Sequence, residues 1–334
     1  PTITVLIPAH NEEDVIGDKI ESTLSLYYPT QIEVIVVSDG STDSTAQIVG
    51  SYAADKRLVF LDLPERKGKA NALNEGMKLA STDVIVFTDA SIILDNQALR
   101  EVAQLFSDPK IGCVSGEDRI DGGGGEGLYG KYELFVRRKE SALGSIVGAS
   151  GSFYAQRRAL VTEFPEGLAP DFVSVLNTVR SGYRAVSTPK AFGYMTAVKS
   201  LHGEFARKVR TVIRGMTALF SNADLMNPLA YPAFSFFLLS HKVMRWCVPI
   251  LMLGLFLANI LLIDDPKYLY LFVAQLSFYA ISLIGYFVPE LARRLSLVRF
   301  MQYFTVVNLA IAVAWLKYLR GDRQEIWGPS KRAL

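Results

Sequence analysis

Three acidic clusters stand out in the first hundred residues: Pro8-Ala-His-Asn-Glu-Glu13, Ser38-Asp-Gly-Ser-Thr-Asp43 and Thr88-Asp-Ala-Ser91. Carboxylates held in loops can bind a hard divalent cation, accept hydrogen bonds or take up a proton. Each cluster alone also reads as ordinary turn chemistry, with Asp39 as an Asx-turn residue and Thr42 or Ser44 as the cap of a following helix. Lys67 and Lys69 flank Gly68 where the chain turns into a helix, which offers backbone N–H groups and positive charge to a phosphate. Further along, Arg207, Arg210 and Arg214 fall at i, i+3 and i+7, on one helical face. Their guanidinium forks suit phosphate oxygens, and the same face could meet anionic lipid. His10, His202 and His241 are scattered, and the two cysteines, Cys113 and Cys247, are too few for a disulfide scaffold or a multi-cysteine metal centre.

The elements that must position these clusters are legible from the apolar pattern. Thr2–Ile7, Ile32–Val37, Leu58–Leu63 and Asp83–Phe87 are short runs rich in β-branched residues. Between them Asp14–Leu26, Ser44–Ala54 and Ala70–Ala80 carry helical spacing. The strand–helix alternation predicts an α/β fold with a mostly parallel sheet and helices on both faces. In such sheets ligands bind beyond the carboxyl ends of the strands. The three acidic clusters follow the first, second and fourth strands, so they are expected to meet at one sheet edge. Cys113 is expected in the core, and Gly122–Gly125 reads as a surface loop.

The chain has 334 residues, 50% hydrophobic and 20% charged, with a formal charge of +2. That near-neutral balance is no electrostatic footprint for nucleic acid. The apolar excess gathers after about Asn222. Trp246–Ile263 and Tyr268–Val288 are uncharged runs about as long as the ~20 residues a spanning helix needs. Leu225–Ser240, interrupted by Pro228 and Pro232, is expected to be an interfacial helix. Met301–Leu316 has basic residues on both sides and reads equally as a third span, a re-entrant hairpin or an interface helix. His241, Lys242 and Arg245, before the first span, place the large domain on the cytoplasmic side of a plasma (inner) membrane by the positive-inside rule. The expected division is 1–222 for the soluble domain and 223–334 for the membrane part with its basic tail. The sequence opens at Pro1 with no signal peptide, and the expectation is a processing boundary that leaves room for a preceding membrane helix.

Taken together, Val37-Ser-Asp-Gly-Ser-Thr-Asp43, Pro8-Ala-His-Asn-Glu12, Lys67-Gly-Lys-Ala-Asn-Ala-Leu-Asn74, Thr88-Asp-Ala90, Gly148-Ala-Ser-Gly-Ser-Phe-Tyr-Ala155, Pro170-Asp171 and Arg207-Lys-Val-Arg-Thr-Val-Ile-Arg-Gly215 resemble the membrane-embedded family-2 glycosyltransferases. These include the cellulose, chitin, hyaluronan and poly-N-acetylglucosamine synthases. The resemblance implies a GT-A-type mixed sheet followed by interfacial and membrane helices. It also implies inverting transfer from a nucleotide sugar of UDP type to a growing polysaccharide or glycolipid acceptor. In that frame Pro8, Asn11, Glu12, Asp39, Lys69, Asp89, Arg210 and Arg214 serve the donor, with Asp39 accepting from the uracil ring imide. Asp89 holds a divalent metal, Mg²⁺ or Mn²⁺, on the diphosphate, and Asp171 is the general base, with Glu166 as the fallback.

Three positions depart from the pattern: Ser91 replaces the second acid of the D-x-D, Pro170 the acid before the base, and Gly215 the tryptophan after the last arginine. Asp95 is not assigned as a ligand. These departures keep open transfer of one sugar to polyprenyl phosphate. A non-catalytic nucleotide-sugar-binding membrane component is a further alternative. A transporter is disfavoured, because the apolar runs lack inward-facing acids and bases.

Overall fold

The computed structural model describes residues 1–121, 126–196 and 201–323; the tetraglycine 122–125 lies outside them. The order is β1 (Ile3–Ala9), α1 (Ile16–Leu24), β2 (Glu33–Asp39), α2 (Thr45–Ser51), β3 (Leu58–Leu63), α3 (Lys69–Leu79), β4 (Val84–Thr88), β5 (Ile93–Leu94), α4 (Ala98–Leu105), β6 (Ile111–Asp121), α5 (Glu126–Leu143), β7 (Phe153–Arg157), α6 (Pro170–Arg180), β8 (Arg184–Thr196) and α7 (Leu201–Phe220). The strands form one sheet in the order β3-β2-β1-β4-β7-β6-β8-β5. The β3-β2-β1-β4 half is parallel, while β7 runs antiparallel to both β4 and β6. The expected strands and helices of the first 90 residues are present, each within a few residues of its sequence-derived limits.

Side-chain alternation along the strands feeds two cores, one on each face of the sheet. Val5, Ile7, Val34, Val36, Val84 and Val86 pack on the face of α1 and α4. Leu6, Ile35, Val37, Ile85 and Phe87 pack on the other face, against α3 and α6, with Cys113 fully buried among them. The uninterrupted Val/Ile runs of these strands follow from burial on both sides. The second core does not stop at the domain edge. It continues through Met216 and Leu219 of α7 to Trp246, Val307 and Ile311 of the C-terminal helices.

Those helices are α8 (Pro232–Phe237), α9 (Met244–Leu261), α10 (Pro266–Phe287), α11 (Pro289–Arg294) and α12 (Ser296–Leu319). A π-helical stretch, Leu238–Val243, joins α8 to α9, so one helical segment runs from Pro232 to Leu261. With α10 and α12 it is one of three helices, among the described residues, long and apolar enough to cross a membrane. The expected separate helix over 225–240 is therefore not found. Pro232 occupies the first turn of the long helix, where its missing N–H costs nothing, so it starts a helix rather than breaking one. The ambiguous run 301–316 lies inside the 24-residue α12. Asn259 of α9 donates to Gln275 of α10 at 3.0 Å, a polar link between apolar helices.

Candidate active site

The first two acidic clusters are stitched to each other. Asn11, which adopts φ +53°, accepts a hydrogen bond from the Thr42 N–H at 2.8 Å. The Glu12 N–H donates to Thr45 Oγ1 at 2.8 Å, and Glu13 Oε2 accepts from the Ser44 N–H at 2.9 Å. Asp43, rather than Thr42 or Ser44, supplies the side-chain oxygen at the start of α2, accepting from the Thr45 N–H at 3.0 Å. Pro8 is buried at the end of β1. Pro8, Asn11 and Glu12 therefore shape the mouth of the β1–β2 edge, with the Asn11 side chain committed to Thr42.

Asp39 ends β2 and is 2% exposed. Its carboxylate accepts the Lys67 N–H at 3.0 Å and the Gly68 N–H at 2.7 Å. The loop into α3 is thus folded over it. Two glycines permit this turn. Gly68 sits at φ +101°, and a side chain on Gly40 (φ +59°) would collide with the Arg66 backbone. The same loop delivers Lys69, whose ammonium pairs with Asp89 and donates to the Gly151 carbonyl at 3.0 Å. Asp89 stands just past β4, with its own N–H bonded to the Ser152 carbonyl at 3.1 Å. Asp95 accepts from the Gln97 N–H at 3.0 Å, so its side chain serves the turn that leads into α4.

Asp171 lies across the Gly148–Ser152 loop from this pair. A Cβ on Gly151 would come 3.9 Å from its carboxylate. The residue is in the first turn of α6, whose first position is Pro170. A proline suits that position, which accounts locally for the lost acid. Burial pushes the Asp171 carboxyl above the ordinary range and Asp89 adds to the rise, while Lys69 and Lys242 oppose it. Glu166 lines a crevice with Lys67, Lys69, Pro170 and Arg214. Burial and the neighbouring Arg210 lower Arg214 to about 10, which leaves it cationic at neutral pH, and Asp171 opposes the shift. Arg210 sits one turn away on α7, also lowered by burial and by Arg207. Of the two, Arg214 is the one that lines the crevice.

The position after Arg214 is occupied from elsewhere in the chain. Gly215 faces Trp246, and a Cβ there would be 3.1 Å from the indole Cζ2. The indole of Trp246, 5% exposed, fills the space beside this turn of α7.

Two residues near this site carry little sequence signal. Lys19 of α1 is fully buried and reaches Thr88 and Ile92, on either side of Asp89. Its only trace in the sequence is a lysine on the apolar Ile16–Ile20–Thr23 stripe. Lys242 lies against Gly148, with its Nζ 3.2 Å from a Cβ position there and 5.6 Å from the Phe172 ring centroid. Its neighbours turn toward the domain as well: His241 meets Glu140 at 2.7 Å and Glu133 at 3.3 Å, and Arg245 pairs with Glu133. This basic trio is engaged with α5 and α6 of the sheet domain rather than forming a free lipid-facing flank.

Residues 4–164 match the family described as Glycosyl transferase family 2. This chain carries a family-2 glycosyltransferase domain. It is 31% identical over 221 residues to a poly-β-1,6-N-acetyl-D-glucosamine synthase of Staphylococcus aureus, and 29% identical over 221 residues to that of Staphylococcus epidermidis. Each match covers 62% of this chain and 53% of the relative, so the chain spans about half the length of these curated relatives. Among solved structures, it is similar to the mannosyltransferase PcManGT from Pyrobaculum calidifontis, solved with GDP-Man and Mn²⁺, at TM-score 0.72 and 23% identity over 96% of this chain and 87% of that one. TarS 1–349 of S. aureus follows at TM-score 0.52 and 17% identity, covering 96% of this chain and 92% of that one. The family-2 domain therefore has the GT-A-type fold, and the PcManGT likeness extends over the C-terminal helices too.

Proposed function

We propose that this chain is a membrane-anchored, inverting glycosyltransferase that moves a sugar from a nucleotide diphosphate sugar to an acceptor hydroxyl, with its catalytic domain on the cytoplasmic side. The observation that carries this reading is the placement of Asp171 across Gly151 from the Lys69–Asp89 pair, with Arg214 lining a crevice beside Lys69 and Pro170. Asp171 takes the proton of the acceptor hydroxyl as that oxygen attacks the anomeric carbon. The bond from that carbon to the diphosphate breaks in the same in-line displacement, which inverts the configuration. Lys69 and Arg214 meet the negative charge that develops on the leaving diphosphate. Asp39 serves the nucleobase end. Because its oxygens already hold the Lys67 and Gly68 amides, a base N–H would use a remaining lone pair or displace the loop.

A divalent cation is consistent with this site in one limited way. Among the described residues no cluster of three or more His, Cys, Asp or Glu could hold an ion. Asp89 offers a single carboxylate, shared with Lys69, and Ser91 a weaker hydroxyl. A hard cation that keeps several waters and takes phosphate oxygens can be held by one carboxylate, so Asp89 would hold it together with the donor. When bound, it supplies charge neutralisation at the diphosphate.

The staphylococcal relatives are named for a poly-β-1,6-N-acetyl-D-glucosamine product, which makes a nucleotide-activated N-acetylglucosamine the first donor to test here. The test is donor turnover by protein in vesicles with Mg²⁺ or Mn²⁺, across UDP-GlcNAc, UDP-glucose, UDP-galactose, UDP-glucuronate and GDP-mannose. Release of nucleotide diphosphate with one donor, and its loss in Asp171→Asn, supports the reading. Binding without turnover for every donor would leave a nucleotide-sugar-binding component instead.

A further inference from the structure

Lys19 belongs to α1, a helix that otherwise buries Ile16, Ile20 and Thr23 against the sheet. It is 0% exposed. Its Nζ donates to Thr88 Oγ1 at 2.9 Å and to the Ile92 carbonyl at 2.7 Å. Those two acceptors bracket Asp89-Ala90-Ser91, and both residues are themselves buried. Enclosing an ammonium is unfavourable: burial drags the Lys19 pKa down to about 7 against the opposing pull of Asp89. A methionine of similar length would fill the same space without desolvating a charge, and such replacements are often neutral or stabilising. The fold therefore carries a cost at Lys19 that packing does not explain, directly behind the loop that presents Asp89.

The other lysine at this carboxylate differs in kind. Lys69 is the first residue of α3, and its side chain is 16% exposed where that of Lys19 is enclosed. It can leave Asp89 for an incoming phosphate oxygen. Lys19 cannot, because it is enclosed and fixed to two points of the chain on either side of the carboxylate.

We propose that Lys19 is a positioning residue of the donor site: it clamps the Thr88–Ile92 loop so that Asp89 stays aimed at the donor diphosphate and its cation after Lys69 has moved away. This rests on the reading of Asp89 as the diphosphate and cation residue. It gives the chain, which has Ser91 in place of a second acid, a rigid frame for its one carboxylate. Lys19 touches neither substrate nor cation, so its effect is exerted through the loop.

The experiment uses the full chain with Lys19→Met, Lys19→Arg, Thr88→Val and Asp89→Asn. Mn²⁺ affinity in the presence of UDP is read by electron paramagnetic resonance, together with the thermal midpoint and the kcat and KM for the donor. Lys19→Met is expected to keep or raise the midpoint while weakening Mn²⁺·UDP tenfold or more. Thr88→Val, which removes one of the two acceptors, should weaken it by a smaller factor, and Lys19→Arg should recover part of the loss. Wild-type Mn²⁺·UDP affinity in both Lys19→Met and Thr88→Val overturns the proposal, as does a loss matched by a proportional fall in midpoint. If Lys19→Met does not fold, Thr88→Val decides alone. Unchanged affinity in Asp89→Asn removes the underlying reading and the clamp with it, whereas a defect there without one at Lys19 or Thr88 refutes only the clamp.

Discussion

In the parallel half of the sheet, Asp39 and Asp89 both face donors supplied by one short loop, two amides for the first and the Lys69 ammonium for the second. On the far side of β7, Asp171 meets its cations only at a distance, and burial outweighs them, so its carboxyl is shifted upward. The first arrangement holds its two carboxylates in place through those donors. The second keeps one closer to protonation, which suits the base role proposed for Asp171. One sheet edge thus holds charge that is already matched and charge that is not, and chemistry is expected at the unmatched residue.

The sharpest test of that contrast is Asp171→Asn, which keeps the shape and removes the base. It should lower kcat by about 10²-fold or more with nucleotide affinity unchanged, whereas Glu166→Gln should change kcat little. Equal losses in the two variants would transfer the base role or divide it.

Next in size is Arg214→Ala, expected to lower kcat by about 10² through lost leaving-group stabilisation. Lysine should restore it poorly, because it lacks the planar fork. Sedimentation with liposomes should be unchanged, since attachment rests on three apolar helices. Normal turnover with weaker sedimentation would return this arginine to a lipid-facing role.

In the matched half, Asp39→Ala frees the Lys67 and Gly68 amides. Hydrogen bonds to a charged group contribute about 1.5–3 kcal/mol each, so UDP affinity should fall by roughly tenfold or more, with a lower thermal midpoint from the loosened loop. Calorimetry showing wild-type affinity in a folded variant would separate Asp39 from the donor.

The smallest expected effect concerns pH. Protonated Asp171 cannot act as base, and burial makes protonation set in at a higher pH than for an ordinary aspartate near 3.9. The acid limb of kcat should therefore lie above that value. Lys242 opposes the shift, so Lys242→Met should move the limb further up, without changing UDP affinity. A limb that stays in place would show that Lys242 does not act on the base.

Much of this was legible beforehand because strand periodicity and loop chemistry are local. The β-branched runs, the acidic clusters that end them and the Lys67–Lys69 turn are written within a few residues of each other. The distinction between a broken helix and a helix begun by proline at Pro232 was not, since a proline can end one helix or open the next and the local sequence fits both. The roles of His241, Lys242 and Arg245 were also hidden. As a basic flank they read as topology signals, but a π-helical stretch and the acids of α5, about a hundred residues away, turn them into the domain.

The sequence by itself determined the alternating α/β order, the edge at which the acidic loops gather, the identity of the acids and arginines that could serve a diphosphate, and the apolar content of the last hundred residues. Only the tertiary structure decided which charges are matched. Asp39 lies beside the amides of residues 67 and 68, Lys69 beside Asp89, Trp246 over Gly215, and Lys19 behind the Asp89 loop. The physical reason is that charge matching depends on distance and burial through space. Two groups twenty to seventy residues apart acquire those only when the sheet closes and expels water between them.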